Sequence, residues 1–98
     1  MKLIPNIYER YYDIFLNKNE YATMYKCYDN IEDELEKFTV KGNNSNISLL
    51  DIVNDGEFKL QYCVQGTDPD EINLFAEAFF KRVVDIYLKE TNCEVYRR

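Results

Sequence analysis

The spacing of apolar residues predicts two helices in the first third of the chain. From Pro5 onward, apolar side chains recur at steps of three and four residues, which is typical of an amphipathic helix. These side chains are Ile7, Tyr11, Ile14 and Phe15. After the polar run at 17–20 the same period continues for about five turns, which predicts a second helix. Its stripe consists of Tyr21, Met24, Tyr25, Tyr28, Ile31, Leu35 and Phe38.

The middle of the chain has the two-residue period of β-strands. Residues 47–53 are a compact apolar run, 54–56 read Asn-Asp-Gly, and 57–64 alternate between apolar and polar side chains. This combination predicts an antiparallel hairpin that is covered on one face only. Thr39 and Val40, which precede an Asn-rich turn, indicate a short additional strand. We therefore expect a sheet of two or three antiparallel strands.

A long helix is predicted to follow the sheet. Asp68 is placed to cap it, Pro69 fits the first helical position, and Glu71 could reach back in a capping box. The apolar stripe that follows extends to about residue 90, and residues 93–96 could add a short last strand. The predicted fold class is α+β: two N-terminal helices, a small antiparallel sheet and one long C-terminal helix. With 98 residues, 46% of them hydrophobic, the chain fits a single domain over 1–98.

Missing residue types exclude most enzyme designs. The chain contains no histidine, which is the commonest general base and metal ligand. Its two serines, Ser45 and Ser48, lie beside an Asn-rich turn and lack the context of a nucleophile elbow. The three glycines stand singly, so a phosphate-binding loop is absent from the sequence. We expect no enzymatic activity, no catalytic residue and no cofactor.

The cysteines indicate neither a zinc site nor a disulfide framework. Cys27, Cys63 and Cys93 are odd in number and far apart, and they form no Cys-x-x-Cys pair. The N-terminal residues lack the apolar segment of a secretory signal. We expect reduced thiols that pack in or near the core, a cytoplasmic location, and no bound metal.

Charge indicates the kind of partner. Twelve Lys and Arg against 18 Asp and Glu give a net charge of −6, which disfavours direct binding to nucleic acids and acidic membranes. Five acids fall within residues 29–36, and four of them are candidate partner-binding residues: Asp29, Glu32, Asp33 and Glu36. Helical spacing puts several of these acids on one side of the second helix. A solubilising face is the plainer interpretation; an anionic surface for a basic groove is the more specific one.

Further candidates lie outside that cluster. The acids around the hairpin turn form a second patch of Asp51, Asp55 and Glu57, whose spacing does not match a calcium-binding loop. The acids Asp68, Asp70 and Glu71 form a third patch, which helix capping also explains. Tyr25, in a row with Tyr21 and Tyr28, could anchor a partner because aromatic residues often dominate binding energy.

The middle of the chain resembles the small acidic anti-CRISPR proteins of phages. The resemblance covers about residues 37–87 and is carried by four short motifs: 38–41 (Phe-Thr-Val-Lys), 44–47 (Asn-Ser-Asn-Ile), 53–56 (Val-Asn-Asp-Gly) and 75–79 (Phe-Ala-Glu-Ala-Phe). Those proteins similarly place three short antiparallel strands before a helix, whereas residues 1–36 depart from their pattern. The resemblance implies an inhibitor that binds an RNA-guided nuclease effector, and it assigns no individual contact residue.

The leading hypothesis is a small acidic, non-enzymatic inhibitor of a nucleic-acid-handling protein, namely an anti-CRISPR protein. Its partner would be a protein with a basic surface. The alternative is an immunity protein or antitoxin that neutralises a basic toxin through the same kind of charged face. An enzyme that works through paired carboxylates is the third class considered, and the spacing of the acids gives it little support. The oligomeric state and the identity of the partner do not follow from the sequence.

Overall fold

The fold is α+β, as the sequence predicts. The computed structural model describes the backbone of residues 7–96 and the side chains of residues 7–29 and 31–90. The elements, in chain order, are β1 (Tyr8–Phe15), α1 (Lys18–Glu36), β2 (Asn46–Asn54), β3 (Phe58–Gly66) and α2 (Pro69–Tyr96). The three strands form one antiparallel sheet in the order β1-β3-β2, so the last strand of the chain is the central one.

The prediction of a first helix starting at Pro5 is wrong over the described residues, because Tyr8–Phe15 is a strand. Its apolar pattern fits both the helical and the strand period. A helix would bury three of its side chains together, but all three are exposed: Ile7, Tyr11 and Phe15. The deciding factor is the second edge of β3, which needs hydrogen-bond partners. β1 supplies them along eight residue pairs, and the ring of Tyr12 stacks on Tyr62 with centroids 5.3 Å apart.

The other two predicted short strands are also wrong. Thr39 and Val40 lie in the connection between α1 and β2, where the carbonyl of Val40 accepts a hydrogen bond from the amide of Asn43. The expected strand at 93–96 is instead the continuation of α2, which contains no glycine or further proline to end it.

The predicted hairpin is confirmed. β2 and β3 pair from Asn54 opposite Phe58 back to Asn46 opposite Gln65, with a β-bulge between Ile47 and Leu49. Gly56 in the turn has a φ of 101°, a conformation that residues with a Cβ rarely adopt. The alternation along β3 therefore predicts the inner face correctly, whereas Cys63, which the same alternation places on the other face, is also buried.

Both helices pack on one face of the sheet. Their apolar stripes and the inner face of β3 form one cluster of buried side chains: Met24, Cys27, Ile31, Leu35, Leu60, Tyr62, Val64, Ile72, Phe75, Ala76, Phe79, Val83 and Ile86. Tyr62 lies at the centre of this cluster. Its ring centroid is 4.4 Å from that of Phe79, and its hydroxyl donates to the carbonyl of Ala76 at 3.0 Å. The edge of the Phe38 ring contacts Phe79 and Phe75 at the end of α1.

The helix starts are fixed by side-chain caps. Asn17 and Glu20 form a reciprocal capping box at the start of α1, within the run that interrupts the sequence pattern. Asp68 accepts from the amide of Asp70 at the start of α2, as predicted. The predicted capping box of Glu71 is wrong, because its carboxylate accepts from the amide of Asn44 and so ties the Asn-rich turn to α2.

Gly66 ends β3 at a point where the backbone lies close to two side chains. A Cβ at this position would lie 2.8 Å from the hydroxyl oxygen of Ser45 and 3.0 Å from Cγ1 of Ile72. Ser45 is buried, and its hydroxyl has no hydrogen-bond partner among the described residues. The close approach of these two side chains therefore requires glycine at position 66. The buried Ser45 hydroxyl contributes no hydrogen bond that would offset the cost of its burial.

We expect Gly66→Ala to lower the free energy of unfolding by about 1–3 kcal/mol, the range typical of overpacking. Ser45→Ala alone should be neutral or slightly stabilising, because it removes a buried unpaired hydroxyl. Ser45→Ala should also recover part of the loss when combined with Gly66→Ala. Urea denaturation of the wild type, the two single variants and the double variant would check this. Strictly additive effects would contradict the close contact between position 66 and Ser45.

Candidate functional site

Helix α1 presents its acids on the side opposite the core. Met24, Ile31 and Leu35 are buried, whereas Asp29 and Asp33 are exposed and Glu32 is half-buried. Residues four apart are neighbours on a helix surface, with Cβ atoms about 5–6 Å apart. The predicted acidic stripe therefore lies on one exposed side of α1 and ends at Glu36.

Tyr28 brings this stripe into contact with the sheet. Its hydroxyl donates to the backbone carbonyl of Leu50 in β2 at 3.2 Å. The pKa of Tyr28 is raised from 10 to about 12, first by burial and then by the negative charges of Glu32, Asp51 and Glu36. The charges of these three carboxylates, which come from two elements of the fold, therefore act on one phenol. We call Asp29, Glu32, Asp33, Glu36 and Asp51 the acidic surface.

Negative charges dominate the environment of Glu32. The pKa of this carboxyl is raised, first by partial desolvation, then by the charges of Glu36, Asp29 and Asp33, and by a side-chain hydrogen bond with Glu36. The part of this shift that comes from neighbouring charges means that the local potential opposes further negative charge. A cationic group placed here would relieve that repulsion.

The structure separates the hairpin acids. Asp51 belongs to the acidic surface, whereas Asp55 lies about 13 Å further along the strand direction, at ~3.3 Å per residue. Asp55 forms an ion pair with Lys59 at 3.5 Å, and Glu57 is exposed in the same turn. Asp55 and Glu57 therefore belong to the hairpin turn, whereas Asp51 belongs to β2. Glu34, the fifth acid of the cluster on α1, forms an ion pair with Arg82 of α2.

Tyr25 is 64% exposed, which is unusual for a member of an apolar stripe. Its ring stacks on that of Tyr21, with centroids 5.9 Å apart. The ring of Tyr21 in turn contacts that of Phe58, with centroids 4.6 Å apart. Tyr25 precedes Asp29 by one helical turn, so the ring adjoins the acidic surface. The expected tyrosine row therefore divides into a half-buried Tyr21, an exposed Tyr25 and a half-buried Tyr28.

The third predicted patch has a structural role. Asp68 caps α2, Glu71 holds the turn before β2, and Asp70 is exposed in the first turn of the helix. Negative side chains at this end of a helix stabilise it. Helix capping thus accounts for Asp68, and the hydrogen bond to the amide of Asn44 accounts for Glu71, so these acids have structural roles.

One feature beside the acidic surface has no signal in the sequence. A groove of about 410 Å³ lies next to Glu36 and is lined by the bulged start of β2, at Ile47, Ser48, Leu49 and Leu50. The groove depends on the β-bulge and on how α1 packs, both of which are set by tertiary contacts. Leu49, which is exposed, adds an apolar contact next to the charges.

Comparisons with protein-family models, with curated proteins and with solved structures found no match. Among the described residues, no group of three or more acids or cysteines is arranged to hold a metal ion. None of the described helices combines the length and apolar character of a membrane span. The chemistry of the site is therefore that of its carboxylates and tyrosines.

Alkaline pH should destabilise the fold through Tyr28. Its pKa is about 12 in the folded protein and near 10 when unfolded, so its contribution is fully present below pH ~10 and is lost as pH rises towards ~12. Tyr62, whose pKa is also raised to about 12, acts in the same direction. We expect the free energy of unfolding to fall over this window, and Tyr28→Phe to make the fall shallower. Urea denaturation at several pH values would measure it, and an unchanged slope in Tyr28→Phe would contradict the assignment.

Proposed function

We propose that this chain is a small protein-binding inhibitor whose acidic surface occupies a basic, nucleic-acid-binding groove of a partner protein. The observation that carries the proposal is that Tyr28 of α1 bonds to Leu50 of β2 at 3.2 Å, where the charges of Glu32, Glu36 and Asp51 act on its phenol. Carboxylates gathered on one surface present a concentrated negative charge, as phosphates of a nucleic acid do. A groove that binds phosphates would accept them in the same way.

An aromatic and an apolar side chain next to the acidic surface can contribute binding energy. Charge complementarity mainly sets the association rate and the specificity of a complex. Binding energy is usually concentrated in a few aromatic or arginine residues near the centre of the interface. Tyr25, exposed one helical turn before Asp29, can supply such an anchor, and Leu49 can supply an apolar contact at the groove.

The resemblance of residues 37–87 to phage anti-CRISPR proteins narrows the proposed partner to an RNA-guided nuclease effector. On this proposal the acidic surface competes with the nucleic acid for the effector's basic channel. A basic toxin would present the same chemistry to the same surface, so the experiment below includes one.

Glu32→Lys/Glu36→Lys should weaken inhibition and binding about tenfold or more, because it replaces attraction by repulsion at two positions. The measurement is target-DNA cleavage by a panel of purified, guide-loaded nuclease effectors, with binding followed by biolayer interferometry. Affinity should also fall as ionic strength rises from 0.1 M to 1 M, over which the Debye length drops from ~10 Å to ~3 Å.

The matched control is Glu77→Lys/Asp85→Lys, which makes the same change in net charge on the exposed side of α2. It should leave binding nearly unchanged. Neutralisation of a basic ribonuclease toxin, with every effector unaffected, would favour the immunity-protein alternative. Binding that is unaffected by salt and by both double charge reversals, but is abolished by Tyr25→Ala, would overturn the charge mechanism.

A further inference from the structure

The two edges of the sheet differ in how their backbone groups are covered. In the order β1-β3-β2, both β1 and β2 are edge strands. The amide of Leu16 donates to the carbonyl of Phe58 at 2.9 Å, so this is a hydrogen-bonded pair. Hydrogen-bonded and non-bonded pairs alternate in an antiparallel ladder. Residues of β1 with even numbers therefore bond to β3, and the amides and carbonyls of Glu9, Tyr11, Asp13 and Phe15 point to the outer edge. We call this edge open because no other strand within residues 7–96 pairs with it.

The β2 edge is partly closed. The same alternation directs the carbonyl of Leu50 away from β3, and the Tyr28 hydroxyl donates to it. The β-bulge between Ile47 and Leu49 also interrupts this edge. Bulges and covering elements are common ways in which proteins protect an edge strand. β1, by contrast, pairs with β3 over eight consecutive residues without a register shift.

The side chains on the open edge of β1 form a regular pattern. The four residues whose backbone groups point outward also share the sheet face opposite the helices, since side chains alternate along a strand. All four are exposed, with Tyr11 at 63% and Phe15 at 65%. They alternate acid and aromatic: Glu9, Tyr11, Asp13 and Phe15.

Charge decides which strand can pair here. Antiparallel pairing of two copies centred on Tyr11 would place Glu9 of each copy opposite Asp13 of the other, and each copy carries a net charge of −6. Like charges that lie directly opposite destabilise a sheet, whereas opposite charges stabilise it. On the β3 side, Asp13 lies 3.9 Å from Nζ of Lys59 and Glu9 accepts from the side-chain amide of Gln65. A strand with Lys or Arg at alternate positions would add cations on the outer side of both carboxylates.

We propose that the open edge of β1 binds an extended, basic segment of a protein partner by adding it as a fourth strand. Backbone hydrogen bonds supply affinity in this mode, and alternate side chains supply specificity. The site is independent of the acidic surface, because that surface lies at the opposite edge of the sheet, on β2 and α1.

Two end-capped seven-residue peptides serve as probes: one alternates lysine and valine, and the other alternates glutamate and valine. We expect the lysine peptide to shift the amide NMR signals of Glu9, Tyr11, Asp13 and Phe15 and to slow their hydrogen exchange. The glutamate peptide should have no such effect. Shifts confined to α1 and β2, or equal effects of both peptides, would overturn the proposal.

Two sets of variants test the two parts of the mechanism. Tyr11→Pro removes an outward amide, which an edge strand tolerates, and should abolish binding, whereas Tyr11→Ala removes the ring but keeps the amide and should retain it. Glu9→Gln/Asp13→Asn keeps hydrogen-bonding groups and should weaken binding about tenfold, so the charge test stands even if the proline variant fails to fold. Full binding by the neutral variant would overturn the assignment of a basic segment.

Two further measurements separate the alternatives. Glu32→Lys/Glu36→Lys should leave binding of the lysine peptide unchanged, so failure of the acidic surface as an inhibitor site would not affect this result. Sedimentation should show a monomer. A dimer that Tyr11→Pro dissociates would make the occupant a second copy of this chain and would overturn the proposal of a basic partner.

Discussion

The central strand β3 is the element on which the rest of the structure depends. Its inner side chains Leu60, Tyr62 and Val64 are almost completely buried, and its backbone pairs with a strand on each side. Tyr62 connects these roles, because its ring contacts Tyr12 of β1 and Phe79 of α2 while its hydroxyl bonds to the carbonyl of Ala76. A buried strand must have hydrogen-bond partners along both edges, and this requirement places β1.

The sequence predicts the elements that local interactions determine. The β2–β3 hairpin follows from the Asn-Asp-Gly turn and the alternation after it, and α2 follows from the Asp68-Pro69 start and an uninterrupted apolar stripe. β1 could not be predicted in this way, since its residues satisfy both helical and strand periods. Its state is decided by an edge of β3 some fifty residues further along the chain.

The candidate site likewise combines features that local sequence determines with features that tertiary contacts determine. Helical spacing predicts that Asp29, Asp33 and Glu36 share an exposed side of α1, because the core stripe of that helix is clear. That Asp51 joins them while Asp55 pairs with Lys59 depends on where β2 passes α1, and no local pattern encodes this. The exposure of Tyr25 likewise results from the packing of α1, which buries Met24 and Cys27 on either side of it in the sequence.

Tyr28 explains why the two edges of the sheet differ. The hydroxyl that covers an outward carbonyl of β2 belongs to the same phenol on which the charges of three carboxylates act, so edge protection and negative charge occur together. Helix α1 contacts β2 and β3, and helix α2 contacts β3 and β1, so the two helices cover one face of the sheet while the Tyr28 hydroxyl covers the β2 edge. Among the described residues, this arrangement leaves the β2 edge partly closed and acidic, whereas the β1 edge carries its own alternation of acids and aromatic rings.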